Sequence, residues 1–355
     1  MSTTATHAPA TAALADRAGW LRGPAFDGNL IGTVCVLAVA AGIAGMFDPN
    51  LFSLVLLLDL WLLGYHHVVS TFTRLTFDSD SFKQHRFLVI QLPILVIVGT
   101  LAAVLSLGYW VLPTTYLYWQ WFHYTRQSYG IERAYRRKAG EHVAINDYLT
   151  TRSLYLLPLF GILHRSYQQQ SEFLGMEVKY LPVTLPLLWI VGVLSVVAMA
   201  AWMAQQLVAL FQNRLALAHT LYVLSHHIVF LTGYLLIDDI TTGWLVLNVW
   251  HNAQYILFVW MFNNNRFKKG VDERHWFLST ISQTKNMIAY FGICLLISTV
   301  VHFVLKAAGD GAMAATAIPV TLVLFMMINF HHYLVDGIIW KVRKPALQKN
   351  LGIPA

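Results

Sequence analysis

Ten apolar stretches, each able to supply the roughly 20 residues a bilayer crossing needs, begin near Leu30, Leu51, Phe87, Tyr109, Tyr148, Val183, Leu215, Gly243, Met287 and Ala314. A bilayer core holds no water to satisfy backbone N–H and C=O groups, so a chain that crosses it must form helices or a closed barrel. Stretches of this length predict helices, because a barrel strand needs only about 10 residues. Charged residues make up 12% of the chain, against roughly 25% in soluble domains, and 57% of residues are hydrophobic, with a mean hydropathy of +0.55. The expected fold is an all-α integral membrane protein with about ten transmembrane helices in one bundle. Residues 1–29 read as a short cytosolic arm that lacks the basic-then-apolar order of a secretory signal. Residues 30–340 read as the membrane domain and 341–355 as a cytosolic tail.

The net charge of +7 is unevenly placed. With the N-terminus inside, all but three of the 24 Lys and Arg residues fall on the cytosolic side, the exceptions being Arg165, Lys179 and Lys306. The main clusters are Arg133 to Lys138, Arg266 to Arg274, and Lys341 to Lys344. This positive-inside bias predicts an even number of spans and two cytosolic termini in a bacterial inner membrane. It accounts for the basic charge without a nucleic-acid partner. The loops near Asp48, Gly108, Ser171, Thr241 and Gly309 are then external. Cys35 and Cys294 lie in apolar stretches and form no CxxC or CxxCH motif, which argues against c-type haem, thiolate zinc and iron–sulfur sites. No period of 20–50 residues repeats, so a single domain is expected.

Eight histidines interrupt five of the apolar stretches: His66 and His67, His123, His226 and His227, His251, and His331 and His332. Ionisable side chains within a bilayer are costly and usually face the bundle interior. At roughly 1.5 Å rise per residue, all five motifs fall in the middle and inner half of a hydrocarbon core roughly 30 Å thick. A shared layer is therefore allowed, and a buried site that binds a metal or moves protons is the natural use.

Helical spacing groups neighbours around these histidines. Asn329, His332 and Asp336 share a face of the tenth stretch, where Asp336 can fix the tautomer of His332 or ligate directly. The simpler alternative is a His–Asp pair satisfying itself at the membrane rim. Tyr116, Gln120, His123 and Gln127 line one face of the fourth stretch. Asn248, His251, Asn252 and Tyr255 line the eighth, His219, Tyr222 and His226 the seventh, and Asp59, His66, Ser70 and Thr73 the second. Adjacent members of an HH pair diverge by about 100°, so one can face a site while the other faces a neighbouring helix. Imidazole-rich, acid-poor sites suit iron, copper and zinc, here in that order. Haem held by His226 or His227 opposite His331 or His332 is another use of apolar-helix histidines.

Many imidazoles presented from several spans resemble the histidine-rich integral-membrane non-haem iron oxygenases. Among these, the bacterial carotene-cleaving dioxygenases hold an iron with histidines from different helices. The fatty-acid desaturase and alkane-hydroxylase superfamily differs, because its HxxxH and HxxHH boxes are absent here and the HH pairs are separated by whole helices. The HHYLVDG segment echoes the histidine-bearing helices of haem–copper oxidases, but the chain is short for that family.

The resulting expectation is a membrane metalloenzyme with one or two non-haem irons that uses O2 to oxidise a lipophilic substrate reached from the lipid. The expected ligands are His66, His123, His226, His251 and His332, followed by His67, His227 and His331. Asp336, Tyr255 and Gln127 are the expected catalytic or supporting groups. A redox partner would dock on the cytosolic face. The rival expectations are a haem-binding electron-transfer protein and a proton- or metal-coupled transporter. Against the transporter, the chain shows no inverted repeat and no matched pair of broken helices.

Overall fold

The structure, a computed structural model, describes residues 18–140, 145–316 and 320–354. Residues 1–17 of the expected arm, and His142, lie outside the described residues. The first long helix begins at Pro24, so the expected arm ends earlier than Asn29.

Among the described residues the fold is built from ten long helices. These are α1 Pro24–Phe47, α2 Pro49–Leu75, α3 Phe87–Leu107, α4 Val111–Ala139, α5 Asp147–Gln168, α6 Leu185–Phe211, α7 Leu217–Leu231, α8 Ile240–Arg266, α9 Met287–Thr316 and α10 Val320–Ile339. The only strands among the described residues are a two-stranded antiparallel hairpin, Glu172–Phe173 with Met176–Glu177. Six helices are long and apolar enough to cross a membrane: α1, α2, α3, α6, α9 and α10. The other four, α4, α5, α7 and α8, carry more polar residues, and one of them holds the centre of the bundle.

Helix α8 is that centre. Residues from Ile240 to Asn264 are buried on nearly every side, the pattern of a helix surrounded by others. Its start is fixed by Asp239, whose carboxylate accepts from Thr242 N at 2.6 Å. Helices α3, α6 and α9 lie outside and expose apolar faces, such as Ile94 and Val98 on α3, Trp189 and Val193 on α6, and Leu296 and Phe303 on α9. Polar groups are thus kept off the outer surface, as a lipid environment requires.

Close backbone approach sets one crossing. A Cβ on Gly243 of α8 would lie 2.1 Å from the Gly233 carbonyl oxygen, and one on Gly233 would lie 2.7 Å from that of Gly243. Small residues commonly let membrane helices approach in this way. Gly233 sits in a π-turn, Thr232–Leu236, that ends α7 and frees backbone carbonyls. The buried Arg165 of α5 donates to three of them, those of Gly233, Ile237 and Asp238. Arg165, one of the three outlying cations in the sequence, is therefore a backbone clamp.

Two expected boundaries differ. Gly309 is not a loop residue but lies within α9, packed against Thr321. The 341–355 tail is not simply solvated. It forms a helix, Pro345–Leu351, and buries Leu347, Leu351 and Ile353. Between α8 and α9, two short helices follow, Glu273–His275 and Trp276–Ile281. They expose Trp276 and Phe277 while burying Leu278 and Ile281.

Candidate metal centre

Helices α2, α8, α4 and α10 contact one another in a closed ring, α2 to α8 to α4 to α10 and back to α2. Each sends one histidine inward: His67 from α2, His251 from α8, His123 from α4 and His332 from α10. The imidazole centroids are 4.6 Å apart for His67 and His332, 5.4 Å for His67 and His251, 4.9 Å for His123 and His251, and 5.1 Å for His123 and His332. Two triads, His67–His251–His332 and His123–His332–Asp336, have potential ligand atoms all within 4.8 Å of one another. Metal–imidazole bonds of roughly 2.1 Å place neighbouring ligand atoms about 3 Å apart and opposite ones about 4 Å apart. The observed spacing needs only a small contraction to meet that.

The hydrogen bonding of these rings favours a ligand at their centre. All four are buried, yet Nε2 of His67, His123 and His332 and both ring nitrogens of His251 have no hydrogen-bond partner in the protein. Buried polar atoms are almost always paired, and leaving one unpaired costs about 1–3 kcal/mol. An unpaired set gathered in two triads that share His332 fits a cation.

Packing holds each ring in place. His123 stacks on Tyr333 at a centroid distance of 4.1 Å, and His251 stacks on Tyr124 at 4.0 Å. Tyr124 Oη donates to Asn248 Oδ1 at 2.5 Å, and Asn248 Nδ2 donates to Asp59 Oδ2 at 2.5 Å. This chain links α4, α8 and α2 beside the cluster.

A second chain fixes His332. Its Nδ1 lies 3.1 Å from Thr71 Oγ1, which lies 2.7 Å from Tyr255 Oη. Tyr255 Oη donates to Asp336 Oδ1 at 2.8 Å and accepts from Trp340 Nε1 at 3.0 Å. Every donor is used if the direction runs from His332 Nδ1–H to Thr71, to Tyr255, to the Asp336 carboxylate. That direction leaves the lone pair of His332 Nε2 facing the cluster. Asp336 Oδ2 lies on the same side, 3.4 Å from His332 Nε2 and 4.0 Å from His123 Nε2. The expected tautomer-fixing role of Asp336 thus belongs to Thr71, and Asp336 stands where a ligand or a proton-accepting carboxylate would stand. Tyr255 bridges Asp336 and Thr71. Gln127 donates to the His251 backbone carbonyl at 3.1 Å and so braces α4 against α8.

Four expected ligands do not join the cluster. His66 turns away, with Nδ1 3.2 Å from the Leu62 carbonyl and its ring beside Phe291. The cause is a π-turn at Asp59–Gly64 just upstream. It inserts one extra residue into the helical repeat, a feature frequent at functional sites. The residue that shares a face with Asp59 is then His67 rather than His66. His226 Nε2 meets the Leu154 carbonyl at 3.1 Å. That carbonyl lacks its usual helical donor because Pro158, four residues on, has no N–H. His331 Nε2 meets the Leu88 carbonyl at 2.8 Å. Leu88 lies in a π-turn, Phe87–Gln91, where Leu92 N reaches back to the Phe87 carbonyl. In that register the donor to Leu88 would be Pro93, which has none. His227 packs edge-on against Trp202 of α6 at 5.0 Å. The proposed facing of His226 or His227 with His331 or His332 across a haem is therefore absent.

Thr71, Tyr124, Tyr333 and Trp340 were not singled out from the sequence. Thr71 lies one turn after His67, and Trp340 one turn after Asp336, so helical spacing from the right histidine or acid would have found both. The two stacking tyrosines carry no such signal.

A cavity of about 1360 Å³ opens onto the cluster through His123, Tyr255, Tyr333 and Asp336, with Trp119, Phe122 and Phe258 among its apolar walls. A smaller pocket of about 90 Å³ reaches His67 from another side, between Tyr65, His302 and Phe325. Outside this region, Asp78, Asp80 and His275 form a third group with metal-like spacing. There Arg266 already pairs with Asp78 and Arg274 with Asp80, so that group reads as an ion-pair lattice tying two loops. Comparison with protein-family models, curated proteins and solved structures finds no match to this chain.

Proposed function

We propose that this protein is a membrane metalloenzyme that holds non-haem iron on His67, His123, His251 and His332, with Asp336 beside it, and oxidises a lipophilic substrate with O2. The observation that carries the reading is that buried imidazole nitrogens without partners, from four helices, gather in two triads that share His332. A donor set of imidazoles with one carboxylate suits iron or copper before magnesium, calcium or manganese. Zinc remains chemically compatible with the same ligands. Haem is disfavoured, because four imidazoles at these separations leave no plane for a porphyrin.

Bound iron would supply the redox chemistry that activates O2. The chain's own part is to exclude water, orient the imidazoles and present the substrate. Tyr124 and Tyr333 hold two rings by stacking, and Thr71 holds a third by its hydrogen bond. Trp119, Phe122 and Phe258 give an apolar approach to the cluster. Tyr255 donates to Asp336 and keeps one carboxylate oxygen occupied, leaving the other towards the site. If both oxygen atoms enter the substrate, no external reductant is needed; hydroxylation or desaturation would require electrons from a redox partner. The finer topology in this reading is ten spans with both termini cytosolic in a bacterial inner membrane. The positive-inside distribution supports it.

Elemental analysis and an optical spectrum of the purified protein test the proposal. Stoichiometric iron without a Soret band is expected, and His67→Ala, His123→Ala, His251→Ala and His332→Ala should each lower it strongly. His66→Ala and His227→Ala should retain it. Full iron in all four cluster variants would overturn the assignment.

A further inference from the structure

The large cavity joins two chemically opposite ends, and its glycines show that the space is built in. One face of α4 lines it, running through His123, Gln127, Gly130, Arg133 and Arg137 at three- and four-residue steps. Gly130 of α4 and Gly337 of α10 both line it, and a Cβ on either would meet nothing within 4 Å. No close approach requires glycine at these positions; the missing side chains leave the channel wide. At the inner end are His123 and Asp336, the only acid among the described lining residues. At the other end the lining holds Arg133, Arg136, Arg137, Lys341 and Arg343. Asp147 pairs with Arg133 and Arg136. No described carboxylate pairs with Arg137, Lys341 or Arg343, and Arg137 Nη1 is buried without a hydrogen-bond partner. Arg126, also in the lining, is held towards α5 by a 3.0 Å bond to Tyr155 Oη.

Resting on the reading that this cavity delivers substrate to the imidazole cluster, we infer that the substrate is a long-chain amphiphile with one anionic head, a carboxylate or phosphate. Its head is bound by Arg137, Lys341 and Arg343, and its apolar chain runs inward past Trp119 and Phe122. Fourteen residues of α4 separate Arg137 from His123, roughly 21 Å at the helical rise. The oxidisable carbon therefore lies near the far end of an extended chain, remote from the anionic group. The apolar walls towards the inner end, Trp119, Phe122 and Phe258, suit the chain and not the head, so the two ends together fix one direction of entry. Arginine offers paired donors that match carboxylate and phosphate oxygens. A bilayer phosphate carries the same chemistry as a free acid, and the inference commits to the free amphiphile.

The test uses the full chain in phosphatidylcholine nanodiscs, with cis-parinaric acid and its methyl ester as probes. Energy transfer from the chain's tryptophans, of which Trp119 and Trp340 line the cavity, reports their binding. The acid should bind roughly tenfold to a hundredfold more tightly than the ester, the range of a charge-assisted contact, and salt should reduce the difference. Arg137→Gln combined with Arg343→Gln should abolish the acid's advantage while leaving ester binding in place. Gly130→Trp should block both probes. Equal affinity for acid and ester, or an advantage that survives the double variant, would overturn the inference. Displacement of the acid by phosphatidylglycerol added to the discs would assign the basic ring to lipid headgroups and also overturn it. Because the head site lies far from the imidazoles, chelator-treated protein should show the same preference. Failure here with normal iron content, or normal preference with no iron, separates this inference from the metal assignment.

Discussion

At His332 the hydrogen bond to Thr71 determines which ring nitrogen is free to meet a metal. Outer partners of metal-bound histidines typically contribute about 10–100-fold to affinity or activity. Thr71→Val, which keeps the shape and removes the hydroxyl, should therefore weaken iron binding by roughly that factor. Thr71→Ser should restore most of it, and an iron titration of the two variants decides the matter. A Thr71→Val protein that binds iron like wild type would make the contact incidental. Asp336 tests the other side of the ring. Asp336→Asn keeps the size and, through its amide oxygen, the hydrogen bond from Tyr255 but removes the charge, and it should lower iron affinity or turnover. If titration and oxygen uptake are both unchanged, Asp336 is only Tyr255's acceptor and the site consists of imidazoles alone.

Between neighbouring helices, prolines and histidines compensate one another. Pro158 frees the Leu154 carbonyl of α5, and His226 of α7 fills it. Hydrogen bonds between membrane helices contribute on the order of 0.6 kcal/mol, up to about 1.7 kcal/mol. His226→Ala should cost about 1 kcal/mol of stability, with iron content unchanged. In a Pro158→Ala background the new N–H can satisfy Leu154 from within α5, so the cost of His226→Ala should shrink. Equal costs in both backgrounds, measured as a double-mutant cycle of unfolding in detergent, would remove the proline from the explanation.

Across the whole molecule, the basic clusters at Arg133–Lys138, Arg266–Arg274 and Lys341–Lys344 should share one side of the membrane. Lys268 is exposed in one of these clusters, and Glu172 is exposed in the hairpin expected on the opposite side. Cys35 and Cys294 are buried, so single cysteines at 268 and 172 can be read against them. Lys268→Cys should be labelled by an impermeant maleimide only after the inner face is opened, and Glu172→Cys in intact cells. Labelling of both from the same side would refute the topology.

The sequence by itself determined that the chain is helical and apolar enough for lipid, because length and composition of the apolar stretches suffice for that. It also marked the polar stripes of α4, α8 and α10, whose unbroken 3.6-residue repeat carried His123, His251 and His332 to a common face. It could not choose His67 over His66, because the π-turn at Asp59–Gly64 adds a residue that composition does not reveal and so rotates everything after it. Nor could it separate ligands from carbonyl caps. An HH pair looks the same in either role, and only the neighbouring helix shows whether a proline-freed carbonyl or three other imidazoles lie opposite. Tertiary structure alone shows which imidazoles come together, since the cluster is formed by residues of α2, α4, α8 and α10 and no one helix contains it.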